Sequence, residues 1–262
     1  MSLVMHVDTA AWRSHQDAVL AGDRLTVPVI KGNGYGFGLE RLAGEAARLT
    51  ADVVVGTAGE VAAVRAGGFT GDVVVLTPWR PGDPIVEQML DEATRSGSGV
   101  ILTVSRVADA QALAESRPGL RVILEVLTSM LRFGLAPQEF RHAVAACQDR
   151  LEIVGWTIHL PMAGEHLQEA TDLATSAVAA CRAPLWVSHL DDDELDVLHR
   201  RLLDQLALAR QPGLFFLGLG ARFLQPGKAA GGVEQAGSIL RGGAWIGVLE
   251  RLAIFAGLVA NW

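Results

Sequence analysis

From residue 25 onward the chain alternates short runs of β-branched and other apolar residues with longer stretches whose apolar residues recur every three or four positions. The short runs fall at 25–30, 52–55, 72–76, 100–103, 121–126, 151–158, 184–187 and 214–219. Runs this short and this continuously apolar predict strands buried on both faces, as in parallel sheets. Helical patterns follow at 39–49, 58–66, 84–94, 107–115, 137–147, 165–181 and 192–209. One more helix is expected at 10–21, ahead of the first run, and a last one within 238–259. Trp79 to Pro84 makes the third connection a long loop. Eight strands alternating with helices over about 250 residues predict an α/β chain of the (β/α)8 TIM-type barrel class. A doubly wound open sheet is the structural competitor, and such an even run of units favours the barrel. No linker or shift of composition divides 1–262, so a single domain is expected.

Composition narrows the function classes. Half of the residues are hydrophobic and 19% are charged, which suits a packed globular core. A net charge of −7 speaks against a nucleic-acid partner. No run of about 18 uncharged apolar residues occurs, so no membrane span is expected. The N-terminus has neither a basic region nor a long apolar stretch, so no signal peptide is expected. Cys147 and Cys181 lie far apart without metal-ligand spacing, and the seven histidines have none either. Reduced thiols, no metal site and a cytoplasmic location are the expectations.

Lysine occurs only at Lys31 and Lys228, against 20 arginines, and the single tyrosine is Tyr35. Arginine cannot be deprotonated in a protein and so cannot act as an amine nucleophile. A general bias toward arginine explains the scarcity of lysine. It does not explain why one lysine sits in the glycine-rich segment Lys31-Gly-Asn-Gly-Tyr35.

In a barrel of this kind the active site forms at the C-terminal ends of the strands. Lys31 and Tyr35 follow the first run, Thr57 the second and Thr77 the third, and Thr103 closes the fourth. Thr128 to Gly134, with Arg132, follows the fifth. His159 ends the sixth, Ser188 and His189 the seventh, and Gly218 to Ala221 the eighth. A lysine held beside Val29 and Ile30 would be partly desolvated, which favours the free amine needed to form an imine with an aldehyde. The rival reading of Lys31 is a surface ammonium in a glycine-rich turn.

Pro28-Val-Ile-Lys31-Gly-Asn-Gly-Tyr35-Gly-Phe-Gly38 resembles the cofactor-lysine motif of the alanine racemase family, fold-type III enzymes of pyridoxal 5'-phosphate. Glycine stands here for both of the family's alanines, and Phe37 for its histidine. Thr128-Ser-Met-Leu-Arg132-Phe-Gly134 is similar to a second family motif. Gly155-Trp-Thr-Ile-His159 is similar to a third, shifted by one residue. The three occur in the right order over roughly residues 7–221, and the pattern looks closest to a group of actinobacterial racemase-like proteins. The resemblance implies an isomerase, a pyridoxal-phosphate-dependent amino-acid racemase. Lys31 would form the Schiff base and then act as the base at Cα. Tyr35 would bond the cofactor phosphate, Arg132 would lie near the phenolic oxygen, and His159 would pack by the pyridine ring. Ser188, Gly220 and Ala221 would offer groups to the phosphate. A small amino acid is the implied substrate, and the family pattern leaves room for a homodimer.

Two departures qualify the resemblance. The family ends its eighth strand with an arginine that donates to the pyridine nitrogen, and Gly218 aligns there. Arg222 and Arg241 are the candidates to replace it. The family also continues into a second, β-rich domain carrying a tyrosine base for the opposite face of the substrate. Two-base racemisation needs a base on each face, and here only His159 or His189 is on offer. The alternative function is a single-domain pyridoxal-phosphate-binding homeostasis protein with little turnover. A third reading is an interaction module, with the 252–259 stripe, Trp245 and Trp262 as its partner surface.

Overall fold

A computed structural model of the chain describes residues 6–20, 26–208 and 218–221, all within one compact unit, Met1–Arg222. The described residues form seven strands: β1 (Asp52–Val55), β2 (Asp72–Val75), β3 (Val100–Val104), β4 (Arg121–Val126), β5 (Glu152–His159), β6 (Leu185–Ser188) and β7 (Gly218–Ala221). They form one sheet in sequence order, β1 to β7, with every neighbouring pair parallel. Helices lie in the connections, as crossovers between parallel strands usually have them: α3 (Leu39–Leu49), α4 (Val61–Ala66), α5 (Pro84–Ser96), α6 (Val107–Ser116), α7 (Phe140–Cys147), α8 (Leu167–Ala180) and α9 (Asp192–Leu208). Ahead of them lie α1 (Thr9–Leu20) and a single turn, α2 (Lys31–Tyr35). This is the α/β, TIM-barrel type of architecture.

Apart from the eighth run, 214–219, of which only 218–219 fall among the described residues and where the strand continues to Ala221, the pattern of apolar runs matches these elements to within one or two residues, with two differences. The first expected strand, 25–30, contracts to a bridge between Val29 and Val54. Ile30 N–H donates to Val54 O, and Val54 N–H donates to Pro28 O. Pro28 has no N–H of its own to extend that ladder, and the chain leaves the sheet at Lys31. The helices expected at 58–66 and 137–147 each begin with a short 3-10 turn, Ala58–Glu60 and Pro137–Glu139. The last expected helix, 238–259, lies outside the described residues, as do Lys228, Trp245 and Trp262.

Alternation along the strands divides the core in two. Val54, Val74, Ile101, Ile123 and Trp186, joined by Val27, form the smaller cluster, on the concave side of the sheet. The intervening residues, among them Val53, Val55, Val73, Leu102, Leu124 and Trp156, pack under the helices in the larger cluster. Because side chains alternate along a strand, the residue two steps beyond each concave-side residue faces the same way, one layer nearer the C-terminal mouth. That layer comprises Gly56, Leu76, Thr103, Glu125 and Ser188, with Thr157 and His159 from β5.

The opposite, N-terminal end is held by Arg65, whose guanidinium donates to the carbonyls of Phe69 (2.9 Å), Gly71 (2.7 Å) and Gly99 (2.6 Å). These carbonyls lie on the segments that enter β2 and β3. Replacing Arg65 with methionine keeps the apolar stem and orphans all three. The expected outcome is a loss of roughly 2–4 kcal/mol in chemical denaturation, with unchanged far-ultraviolet dichroism. An undiminished denaturation midpoint would show that these carbonyls find other partners.

Candidate active site

Lys31 leaves the first strand position onto a turn of unusual hand. Gly32, Asn33, Gly34 and Tyr35 have φ of 64°, 53°, 62° and 52°, a left-handed helical turn. Left-handed backbone costs an L-residue roughly 1–2 kcal/mol, and glycine escapes most of that cost. Alternating glycine with Asn33 and Tyr35 halves the strain. Gly34 N–H donates to Ile30 O, and the amides of Gly36 and Gly38 both donate to Asn33 O. Trp12 of α1 stacks on Phe37 with ring centroids 5.9 Å apart.

Glu60 locks the turn. Its carboxylate accepts from the amides of Gly32 (2.7 Å), Gly56 (2.6 Å) and Thr57 (3.0 Å). One side chain thereby ties the Lys31 turn to the loop after β1. Gly56 leaves room beside the lysine: a Cβ there would be crowded, 3.1 Å from both the Lys31 Cβ and Glu60 Oε2. The lysine stem passes over that bare backbone.

The other candidates converge on the same mouth. Ser188 Oγ lies 2.8 Å from His159 Nδ1, and the two residues are register partners on β5 and β6. The rings of His159 and His189 meet edge to face at 5.0 Å. Burial, then the charge of Arg132, then those of His189 and Lys31 push His159 from its ordinary 6.5 down to about 3. His189 is lowered as well, by burial first and then by Lys31 and His166. Lys31, Arg132, His159 and His189 therefore share one electrostatic field, in which both imidazoles are kept neutral. Gly220 and Ala221 stand at the end of β7, opposite Val187 and Ser188. Gly218 is at the foot of that strand, opposite Leu185, so the register places Ala221 rather than Gly218 at the mouth. Tyr35 is 39% exposed on the left-handed turn. Arg222 and Arg241 lie outside the described residues.

Other rim residues are committed to the backbone. Thr77 Oγ1 donates to Gly56 O and Thr103 Oγ1 to Val75 O, while Thr57 caps the short turn with Glu60. Thr128 Oγ1 donates to His159 O. Helix α9 is capped by a reciprocal pair, Asp191 and Glu194, not by Ser188. Among the described residues no cluster of three His, Cys, Asp or Glu side chains forms a metal site, no helix is long and apolar enough to cross a membrane, and both cysteines are free thiols.

Arg132 rides on a loop anchored at both ends. Leu127 N–H donates to Leu135 O, and Leu135 N–H donates to Glu125 O. Glu169 of α8 accepts from the Ser129 amide (2.5 Å) and hydroxyl (2.7 Å). Beneath the loop, on β4, lies Glu125, a carboxyl only 4% exposed. Arg132 Nη2 is 3.7 Å from its Oε1, and its Oε2 is buried without a hydrogen-bond partner. Burial raises Glu125 from 4.5 to about 7, against the pull of Arg132 and, more weakly, Arg80. Arg80 is itself held by buried Asp109 and by Ser105 Oγ. Glu60, Glu125, Gly56 and Glu169 escaped the sequence reading. Thr57-x-x-Glu60 is a capping-box signal, and a glutamate inside the apolar run 121–126 is the kind of buried charge that calls for an explanation.

Known proteins resemble this chain in sequence and in fold. The family described as "Alanine racemase, N-terminal domain" matches residues 9–192. The alanine racemase of Nitratidesulfovibrio vulgaris (strain Hildenborough) is 35% identical over 159 residues, covering 58% of this chain and 38% of that protein. The alanine racemase of Marinobacter nauticus is 26% identical over 202 residues, covering 76% and 54%. The chain thus spans between about a third and a half of the length of these relatives. The fold is that of the alanine racemase from Oenococcus oeni (TM-score 0.56, 17% identity, 80% of this chain and 59% of that one). It is equally that of the lysine decarboxylase from Selenomonas ruminantium (TM-score 0.56, 15% identity, 84% and 67%). These matches carry the family and the fold, not the narrower actinobacterial likeness.

Glu125 and His159 make opposite demands on pH. The raised acid contributes stability that is complete below 4.5 and is lost as pH rises through about 7. The depressed histidine contributes stability that is complete above 6.5 and is lost as pH falls toward about 3. Between 4.5 and 6.5 the two slopes offset each other. Glu125→Gln removes one of them, so the variant gains on wild type through that window. The gain reaches roughly 1–3 kcal/mol at pH 8, read as the difference in unfolding free energy. A difference that does not change with pH would mean that Glu125 ionises at its ordinary value.

Proposed function

The chain belongs to the alanine racemase N-terminal-domain family, and on that premise we propose that it is a pyridoxal-phosphate-dependent amino-acid racemase-like enzyme in which Lys31 holds the cofactor and moves the Cα proton. The observation that carries this reading is Lys31 itself, set on a locked left-handed turn in one electrostatic field with Arg132, His159 and His189.

The residues present suit the cofactor. A Cβ built at Gly32 or Gly36 meets nothing within 4 Å, so the backbone beside the lysine lies open. The donor set is an amine, a guanidinium, a neutral imidazole and a serine hydroxyl, which matches an aldehyde, a phenolic oxygen, an aromatic ring and a phosphate. When bound, pyridoxal phosphate supplies an electron sink for the carbanion at Cα. The protein's part is to place and protonate. Lys31 Nζ takes and returns the proton on one face. Arg132 brings a fixed positive charge to the mouth, and neutral His159 offers a ring face. Tyr35, Ser188 and the amides of Gly220 and Ala221 are the proposed phosphate partners. A His159 held near 3 is too weak a base for the opposite face, so of the two histidines His189 is the candidate for that role. The substrate is proposed to be a small amino acid, by analogy with the alanine racemases to which the chain is similar.

The test is cofactor binding and proton exchange together. Wild type is expected to develop the visible absorbance of lysine-bound pyridoxal phosphate and to exchange the Cα proton of a small amino acid in deuterated water. Lys31→Ala is expected to do neither. Absorbance without exchange for any of a panel of small amino acids would replace the enzyme reading by cofactor binding alone. No absorbance in wild type would remove both.

A further inference from the structure

Among the charged side chains at the mouth, Glu125 is the one to which the proposed chemistry gives no task, and it is the most buried of them. Its strand places it on the concave side of the sheet, one layer above Ile123, and a single loop, 127–135, carries Arg132 back over it. The 3.7 Å between Arg132 Nη2 and Glu125 Oε1 is longer than a hydrogen bond, which for N–H···O runs to about 3.2 Å. The arginine side chain is 43% exposed and the glutamate side chain 6%. A half-exposed cation thus hovers just out of bonding range above a buried acid whose second oxygen has no partner. An unpartnered carboxylate in such a place is costly, and drawing the guanidinium inward is the shortest way to relieve it.

We propose that Glu125 is a positioning residue that sets where the Arg132 guanidinium stands: ionised, it draws Arg132 down onto the mouth, and protonated, it lets Arg132 swing toward solvent. Among the described residues, the charged and titratable groups around it are few. From its own strand's loop comes Arg132, from the loop after β2 comes Arg80, and the charge of Arg132 also acts on His159 of β5. Arg80 is committed to Asp109, which Arg106 also pairs. Among the described residues, Arg132 is therefore the cation left to answer a change on Glu125. A Glu125 that titrates near neutral pH makes this a proton-controlled setting of the arginine, within the range where an enzyme works. That the setting matters for the cofactor rests on the proposed function; the coupling of the two side chains does not.

The experiment begins without cofactor. With carboxyl-labelled glutamate, the Glu125 signal is assigned by its loss in Glu125→Gln, and its titration is followed by carbon NMR. Its midpoint is expected near neutrality, and Arg132→Leu is expected to raise it by roughly one pH unit. Arg80→Gln is expected to raise it less. The solvent-facing position of Arg132 makes its replacement compatible with folding, and Arg132→Lys is the second variant if leucine is not tolerated, with a smaller shift. Pyridoxal-phosphate affinity is then measured for wild type, Glu125→Gln and Glu125→Asp. The advantage of wild type over Glu125→Gln is expected to grow several-fold between pH 6 and pH 8, and Glu125→Asp to retain part of that growth. A midpoint indifferent to Arg132 overturns the proposal, and so does an affinity advantage that is the same at both pH values. If the two side chains are coupled but no variant and no wild type takes up pyridoxal phosphate, the pairing is upheld and the cofactor reading is the one that falls.

Discussion

The site depends on the alternation of side chains along short parallel strands. A strand buried on both faces sends every second residue to the concave side of the sheet, and the first such layer here is apolar: Val54, Val74, Ile101, Ile123 and Trp186. That layer is the floor. Two residues further along each strand the same geometry places Gly56, Thr103, Glu125 and Ser188 above it, at the C-terminal mouth. Nothing in the loops has to be specified for these groups to converge. The floor excludes water from below, and the groups above it interact through protein instead of through bulk solvent. That is why burial heads the causes at Glu125, His159 and His189 alike.

Onto this scaffold the Lys31 turn is fastened from outside the sheet. Its left-handed backbone is unfavourable in isolation, and the Glu60 carboxylate, accepting three amides, offsets that strain. Clustered backbone amides are a natural seat for an anion, and here the protein supplies its own. A side effect is that the lysine is pinned at its backbone while its stem crosses Gly56. A nucleophilic amine gains from such an arrangement, because the entropy of placing it has been lost on folding instead of during the reaction.

Much of this was legible in the sequence, and the limits have physical causes. Continuous apolar runs such as 52–55 and 121–126 name strands to the residue because a parallel strand buried on both faces tolerates little else. The run at 25–30 overstated its strand because Pro28 interrupts the hydrogen-bond ladder, which periodicity does not register. Lys31, Arg132, His159 and Ser188 stand out as candidates because each sits at a strand end beside a glycine or a recognisable motif. Thr77 and Thr103 were equally visible and turn out to serve the backbone, since polarity at a strand end does not say whether a hydroxyl faces a ligand or the neighbouring carbonyl. Glu60 leaves a capping-box spacing with Thr57, but the Gly32 amide it also holds is 28 residues away. Glu169 holds an amide 40 residues away, and Glu125 acts through burial, which leaves no spacing to read.

The fold alone does not choose the reaction, since a racemase and a decarboxylase match it equally well in shape. What differs between chemistries on one barrel is the balance of charge and proton affinity at the mouth. Here Lys31 and Arg132 supply fixed or potential positive charge, and that charge, with burial, keeps two imidazoles neutral. A phosphate-bearing anion placed among them would relieve the mutual repulsion of the cations, whereas a cationic ligand would worsen it. At Glu125 burial raises the proton affinity and Arg132 opposes it. Such a balance of charge suits an anionic group better than a cationic one, and the acid beneath the arginine is where that balance is most easily changed.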